Sequence, residues 1–290
     1  RLEALRRIVV LTDGHANAGI TDRDRLVQLV KGGHQQGVTT TCIGFDDGHD
    51  EELLAALADG GMGNDYWCAG PDQAMAVFST EFGGLANTVA QNVSVEIAPN
   101  EHVAAMSVLN EFPCIDLPGG VTQVALGDAF GGERRRVVAK FLLTPHTATG
   151  PVEIGRLTVR WAGVTGDVAL HTTTIPVVVT FGGADDQAPP PDSEVVEEVV
   201  RLQVAQLRKD GRDAANQGDL GTARRLVQQS IDMLTGIGDP DGEVAALRTT
   251  AADLDEGNWS RKSAKREFSN MRTTSRSEEH TSELQSRETI

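Results

Sequence analysis

Short apolar runs alternate with amphipathic segments over the first third of the chain. The runs RIVVLT (7–12), VTTTCIGF (38–45) and DYWCA (65–69) predict strands, and the segments that follow carry apolar residues on one helical face. The first two runs lack the polar alternation of a half-exposed strand, which favours parallel strands covered on both faces. Residues 1–92 therefore predict an α/β fold, a partial doubly wound parallel sheet. Because it has only three strand–helix units, we expect a bare edge at its first strand.

The pattern changes to closely spaced strands over residues 93–182. Six strand-like runs are separated by clusters of Gly, Pro and Asp, which is typical of an antiparallel β-sandwich. Pro176 cannot donate a ladder hydrogen bond, so its strand is expected at an edge or at a bulge.

A Pro-rich, acidic stretch at 183–193 reads as a linker. Residues 194–275 then show helical periodicity, with acidic residues at the head of the first helix and basic residues towards its tail. The stretch GDLGTARRLVQQSIDML resembles one tetratricopeptide-like helical hairpin. A repeat array needs about three such units, so we predict a helical hairpin or bundle.

Composition limits the function further. The formal net charge of −16 argues against nucleic acid as a partner, since phosphate binding needs clustered Lys and Arg. No apolar run reaches the ~18 residues of a membrane-spanning helix. The three cysteines lack C-x-x-C spacing and predict reduced thiols or one optional bridge. The compartment stays open between cytoplasmic and secreted.

The segment VVLTDGHANAGITD carries the most informative chemistry. It places Asp13 and Gly14 directly after an apolar parallel strand, at the sheet edge where α/β proteins bind ligands. Gly14 is expected to allow a sharp turn, and His15 to line the same crevice or to be solvated at the surface. An Asp carboxylate there suits a hard cation such as Mg²⁺. On the residues alone, a simple turn remains the alternative.

Two longer segments resemble a known family in order and spacing: RIVVLTDGHANAGITDRDRLVQLV and GVTTTCIGFDDGHDEELLAALADGGMGNDYWCAGPDQAMAVF. They look like the last three strand–helix units of a von Willebrand factor type A (VWA) domain of the bacterial stand-alone kind. The resemblance implies that LTDG forms the third loop of a metal-ion-dependent adhesion site. It also implies that Asp13 holds Mg²⁺ through water in the intact parent, where a partner's carboxylate would complete the shell.

The chain departs from that family pattern at the metal site. The leading motif Asp-x-Ser-x-Ser is absent, and so is the Thr of the second loop. We expect both to lie upstream of Arg1, in a longer gene of which this chain is an N-terminally truncated product. One aspartate does not hold Mg²⁺ against water, so the chain itself should bind the metal poorly.

Other candidate motifs favour structural roles. DDGHDEE (46–52) lacks the alternating ligands of a calcium loop, so helix capping by Asp47 or Asp50 is preferred. GGMG (60–63) matches no phosphate-binding loop, and none of the seven histidines has metal-site spacing.

The C-terminal residues 276–290 have a different character. Arg276–Ser286 matches, residue for residue, the translation of a common sequencing-library adapter. We expect 276–290 to be a non-native tail and exclude it from the fold prediction.

The predicted function is metal-dependent protein–protein interaction or scaffolding, without catalysis. The resemblance implies a protein partner but does not identify it. Two alternatives stay open: a remnant of an α/β nucleotide-binding enzyme, and a metal-independent assembly module.

Overall fold

The structure is a computed structural model of the chain. It describes residues 6–45, 48–68, 70, 73–75, 77–78, 88–145, 149–164, 169–183, 187, 189–255, 257–276 and 278–279.

The first part, called here the α/β unit, contains a three-stranded parallel sheet and two helices with fully described bounds, and residues 73–75 and 77–78 are also helical. The strands lie in the order β1-β2-β3 and every pairing is parallel, as the apolar runs predict. The elements are β1 (Arg6–Thr12), α1 (Arg23–Gln35), β2 (Val38–Phe45), α2 (Glu51–Gly60) and β3 (Met62–Cys68).

Aspartates begin both helices of the α/β unit. Asp50 accepts a hydrogen bond from the backbone N–H of Leu53 and caps α2, which confirms one of the two predicted caps; Asp47 lies outside the described residues. Asp22 caps α1 by accepting from the N–H of Arg25. The sequence alone favours Thr21, one residue earlier, as the cap of this helix. Both residue types cap well, and the chain begins its helix one position later.

The core of the α/β unit lies between β2 and the two helices. Its buried residues are Cys42 of β2 and, on α2, Leu53, Leu54, Leu57 and Ala58. Partly buried neighbours on β1 and α1 pack against them: Val10, Leu26, Val27 and Val30. At the free edge, Ile8 is 52% and Leu11 is 51% exposed, and α1 has no buried residue. The predicted bare edge is present at β1.

The second part, called here the β unit, is antiparallel. A five-stranded sheet has the order β11-β10-β4-β7-β6, and β5 pairs with β9 in a separate two-stranded ribbon. The two-residue strands β8 and β12 pair with each other. The strand bounds are β4 Thr88–Pro99, β5 Val103–Val108, β6 Cys114–Leu117, β7 Val121–Phe130, β8 Arg134–Arg135, β9 Ala139–Leu143, β10 Gly150–Gly163, β11 Leu170–Phe181 and β12 Glu278–Glu279.

Apolar residues of the ribbon pack against one face of the five-stranded sheet. Val95, Ile97, Phe112 and Val124 are buried there against Met106 and Phe141, among other ribbon residues. Pro176 lies in β11, which is the edge strand of the sheet, as its missing donor predicts. The sequence pattern predicts a third helix over residues 71–91; residues 73–75 and 77–78 are helical, but β4 begins at Thr88, before the end of that segment. The β-branched residues Thr88 and Val89 favour a strand at that point.

The last part, called here the helical segment, contains four helices: α3 (Ser193–Asn216), α4 (Leu220–Gly236), α5 (Glu243–Asp255) and α6 (Arg261–Arg276). Helices α3, α4 and α5 share one aliphatic core, formed by Val204, Ala215, Ala223, Val227, Ile231, Leu234, Val244, Leu247 and Leu254. A helical bundle is therefore observed where the periodicity predicts one.

Buried ion pairs add α6 to this bundle. Arg208 of α3, whose side chain is 1% exposed, lies 3.0 Å from Glu267 and 2.5 Å from Glu243. Glu267 also accepts from the hydroxyl of Thr250 at 2.5 Å. Each buried charge thus has an oppositely charged partner, which a buried charge requires.

Two further observations bear on the sequence predictions. Among the described residues, no helix is both long and apolar enough to cross a membrane. Cys42, Cys68 and Cys114 are all free thiols.

Candidate functional site

Asp13 lies where the sequence places it, directly after β1. It is exposed, and the parallel pairing of Thr12 with Gly44 brings the ends of β1 and β2 side by side. The carboxyl ends of neighbouring parallel strands are the usual binding edge of an α/β sheet. The candidate site is therefore an open sheet edge rather than an enclosed pocket.

The turn after β1 is held by the hydroxyl of Thr12. This hydroxyl accepts from the N–H of Gly14 at 3.2 Å and donates to the carbonyl of Gly14 at 3.0 Å. Gly14 itself does not have a left-handed φ, and a Cβ added there would meet nothing within 4 Å. Glycine is therefore not required at position 14, and the hydroxyl of Thr12 holds the turn.

Glycine is required on the neighbouring loop, at Gly48. A Cβ there would lie 2.3 Å from the carbonyl oxygen of Asp13, so only glycine fits without moving the backbone. Gly48 thus brings the loop that precedes α2 into direct contact with Asp13.

His15 lies near Asp50, and both side chains are solvent-exposed. Its Nδ1 is 4.0 Å from Oδ2 of Asp50. Exposed pairs at this distance contribute little. Asp13, Gly14 and His15 therefore share one exposed turn, beside the cap of α2.

His49 follows Gly48 in the loop before α2 and is 3% exposed. A Cβ on Gly44 would come within 2.3 Å of its ring, and its Nδ1 lies 3.2 Å from the carbonyl oxygen of Phe45. Its own carbonyl accepts from Nζ of Lys265 in α6 at 2.5 Å. Sequence reasoning missed Gly48, His49 and Lys265. No local motif marks a contact between residues more than two hundred positions apart.

A separate cleft lies between the α/β unit and the β unit, and Arg7, Asp128 and Arg135 are among its lining residues. Arg7 Nη2 lies 3.6 Å from Asp128 Oδ2, and Arg135 pairs with Glu133. Burial raises the pKa of Asp128, and the Arg7 guanidinium opposes that shift. Because these charges pair with one another, we interpret the cleft as a contact that joins the two units rather than as a binding site.

Comparison with known proteins gives two matching curated sequences, and no family model matches the chain. The uncharacterized protein sll0103 of Synechocystis is 24% identical over 235 residues, which is 78% of this chain and 55% of that protein. The uncharacterized protein YfbK of Escherichia coli is 31% identical over 97 residues, 33% of this chain and 17% of that protein.

Two solved structures match nearly the whole chain. The von Willebrand factor type A protein of Catenulispora acidiphila superposes with a TM-score of 0.71 and 15% identity, over 95% of this chain and 66% of that one. The chain has a von Willebrand factor type A-like fold. The ArnB paralog VWA2 of Sulfolobus acidocaldarius matches less closely, with a TM-score of 0.53 and 17% identity over 94% of this chain and 65% of that one.

The VWA-like fold confirms the fold that the sequence resemblance implies. At these identities the likeness concerns the fold alone. The chain spans about half the length of its more extensive curated match and about two thirds of each solved structure.

The residues that the structure describes do not fit a Mg²⁺ ion at this VWA-like sheet edge. Within the described ranges, no group of three or more His, Cys, Asp or Glu side chains is placed to hold a metal. Asp46 and Asp47, at the end of β2, lie outside the described residues. Asp13 alone supplies one carboxylate where Mg²⁺ requires several oxygen ligands.

Proposed function

We propose that this chain is part of a protein-interaction module that binds a partner protein at the carboxyl ends of its parallel strands and has no catalytic role. The observation that carries the proposal is the exposed Asp13 turn, held by Thr12 on one side and by Gly48 on the other. A turn fixed in this way presents a carboxylate with little loss of freedom on binding, which favours recognition.

We also propose that the three-stranded sheet is one portion of a larger sheet, followed by a β-sandwich and the helical segment. Ile8 and Leu11 are half exposed on opposite faces of β1, and Leu29 of α1 is 59% exposed. Exposed apolar residues along an edge strand are unfavourable in water. Further strands of a longer protein, added beside β1, would cover them.

A magnesium-dependent contact is proposed only for such a longer protein. In it, Asp-x-Ser-x-Ser on an added strand would supply the ligands that the described residues lack. This chain would contribute Asp13, and its residues would hold the rest of the turn in place.

Titration calorimetry tests the proposal. The chain with Mg²⁺ should show no binding at millimolar concentration, and the protein from the longer gene should bind. Asp13→Asn should abolish that binding, whereas Asp24→Asn, on the exposed first turn of α1, should leave it unchanged. A longer protein that binds no divalent cation, or one indifferent to Asp13→Asn, would contradict the magnesium proposal.

A second candidate is assembly without metal, through the β unit and the helical segment. It is favoured by exposed apolar side chains in both parts, such as Leu142 of β9 at 61% and Val195 of α3 at 57%. Partner capture by the longer protein in the presence of a chelator separates the two candidates. Capture that survives chelation and Asp13→Asn supports metal-independent assembly, and capture lost in both supports the Asp13 turn.

A further inference from the structure

The helical segment and the α/β unit each have their own aliphatic core. Among the described residues, neither cluster includes a residue of the other part. The polar contacts between the two parts follow a simple charge pattern. Carboxylates lie on α2 and β3, and basic side chains lie on α3 and α6. We call the first set the acidic face and define it as Glu51, Glu52, Asp59 and Asp65.

Three basic residues of the helical segment contact the acidic face. Arg272 lies 2.8 Å from Asp59 and 2.7 Å from Asp65, at the far end of α2 from the candidate site. Arg212 lies 3.5 Å from Glu52. Lys265 lies 2.7 Å from Glu51, at the start of α2. The contacts thus extend along the whole length of α2.

The basic side chains of this interface are largely removed from water, whereas Glu52 of the acidic face is 57% exposed. The side chain of Lys265 is 4% exposed and that of Arg272 is 10% exposed. Burying an ion pair costs desolvation, and well-packed apolar residues often hold two parts together better. An interface built on charge is specific, and its more exposed pairs weaken as salt screens them. This composition suits a contact that forms and releases.

Lys265 also connects this interface to the candidate site. Its Nζ donates to the carbonyl of His49, and the next residue towards the N-terminus, Gly48, contacts the carbonyl oxygen of Asp13. The α6 ammonium is therefore linked to the Asp13 turn by one hydrogen bond, one backbone step from His49 to Gly48, and one close contact. A displacement of α6 can therefore change the position of that turn directly.

We propose that the helical segment is a salt-sensitive latch on the acidic face, and that Lys265 transmits its docking to the Gly48–Asp50 turn beside Asp13. Docking holds the turn in the position seen here, and release loosens it. The inference deepens the proposed function, because it assigns regulation to the same strand-end site. The latch itself is tested without any partner or metal.

Hydrogen exchange of the full chain, followed by mass spectrometry, tests the latch. Lys265→Met keeps the length of the side chain but removes the charge and the donors. It should speed exchange about tenfold in peptides covering residues 13–16 and 48–54. Lys265→Arg keeps both charge and donors and should restore most of the protection. Lys262→Met, on the exposed side of the same helix, should change nothing in these peptides.

Raising the salt from about 0.05 M to about 1 M should also speed exchange in the same peptides of the wild type, because it weakens the pair between Arg212 and the exposed Glu52. Faster exchange confined to α6, with residues 13–16 and 48–54 unchanged, would overturn the inference. Equal effects of Lys265→Met and Lys262→Met would overturn it as well. If the latch is confirmed but the longer protein captures no partner through Asp13, the proposed function fails and the latch remains.

Discussion

The helical segment and the α/β unit use similar apolar residues with opposite results. In the helical segment, Leu247 and Leu254 are 0% and 1% exposed, and three helices enclose one core. In the α/β unit, α1 buries no residue, and two apolar side chains of β1 are half exposed. The first part is closed on itself, and the second is open along one border.

This difference shows that a row of apolar residues on a strand or helix can have two structural roles. A stripe that finds its complement within the chain makes a core, and a stripe that does not find one marks a surface that another polypeptide can cover. The helical segment encloses its own aliphatic core, whereas added strands would bury the most apolar surface at the α/β unit.

The largest expected effect is in the closed part. Arg208→Met removes the partner of two carboxylates, and burial already raises the pKa of Glu243 against the influence of Arg208. We expect the free energy of unfolding of the helical segment to fall by about 3–5 kcal/mol in urea titrations. Arg225→Met, on the exposed side of α4, is the matched control and should change it by less than about 0.5 kcal/mol. Equal stability of the two variants would contradict the buried network.

A pair of leucine substitutions tests the comparison directly. Leu247→Ala in the closed core should cost about 2–5 kcal/mol, because it leaves a cavity. Leu29→Ala, on the open side of α1, should cost less than about 0.5 kcal/mol in the same titration. A large cost at Leu29 would mean that the open border is covered in solution, for example by a second copy of the chain.

Thiol labelling tests whether the core of the α/β unit opens to solvent more readily because β1 is an exposed edge strand. Burial, together with Asp65 and Asp59, raises the pKa of Cys42 to about 12, whereas Cys114 is exposed. At pH 8, iodoacetamide should modify Cys114 about a hundredfold faster than Cys42, as read by mass spectrometry. Comparable rates would show that the α/β unit opens readily despite its buried core.

The smallest expected effect concerns pH at the junction of the α/β and β units. Burial lowers the pKa of His34 below its ordinary 6.5, and the Asp128 carboxylate partly offsets that shift. As the pH falls through 6.5, the unfolded chain takes up the proton before the folded chain does, so stability should decrease. Asp128, whose pKa is raised, acts in the opposite sense at lower pH.

Urea midpoints measured between about pH 7.5 and pH 5.5 should therefore fall less in His34→Gln than in the wild type. His171→Gln, at an exposed position of β11, is the control and should follow the wild type. Identical slopes in His34→Gln and the wild type would show that His34 is not held in its neutral form.

Much of the fold follows from local pattern. The apolar runs predicted the parallel strands, Pro176 predicted an edge strand, and 3.6-residue periodicity predicted the helical bundle. Local signals were less reliable at element ends, where Asp22 rather than Thr21 caps α1 and β4 begins at Thr88. Neighbouring positions there have similar propensities, so tertiary contacts decide between them.

The site was predictable only in part. The sequence predicts the position of Asp13 at the strand end, because the apolar run stops there. The roles of Gly48, His49 and Lys265 depend on contacts between distant segments. Helix α6 lies more than two hundred residues beyond α2, and nothing in either segment specifies that they meet. The charge complementarity between α2 and the basic residues of α3 and α6 is recognisable only in the folded structure.

Pro176 has a consequence for how this molecule can extend sideways. It lies in the outer strand of the antiparallel sheet, where it removes one of the donors that an incoming strand would use. The β1 border carries no proline among Arg6–Thr12 and keeps its full set of donors. Pairing with a further strand is thus disfavoured at Pro176, whereas no proline blocks it along β1.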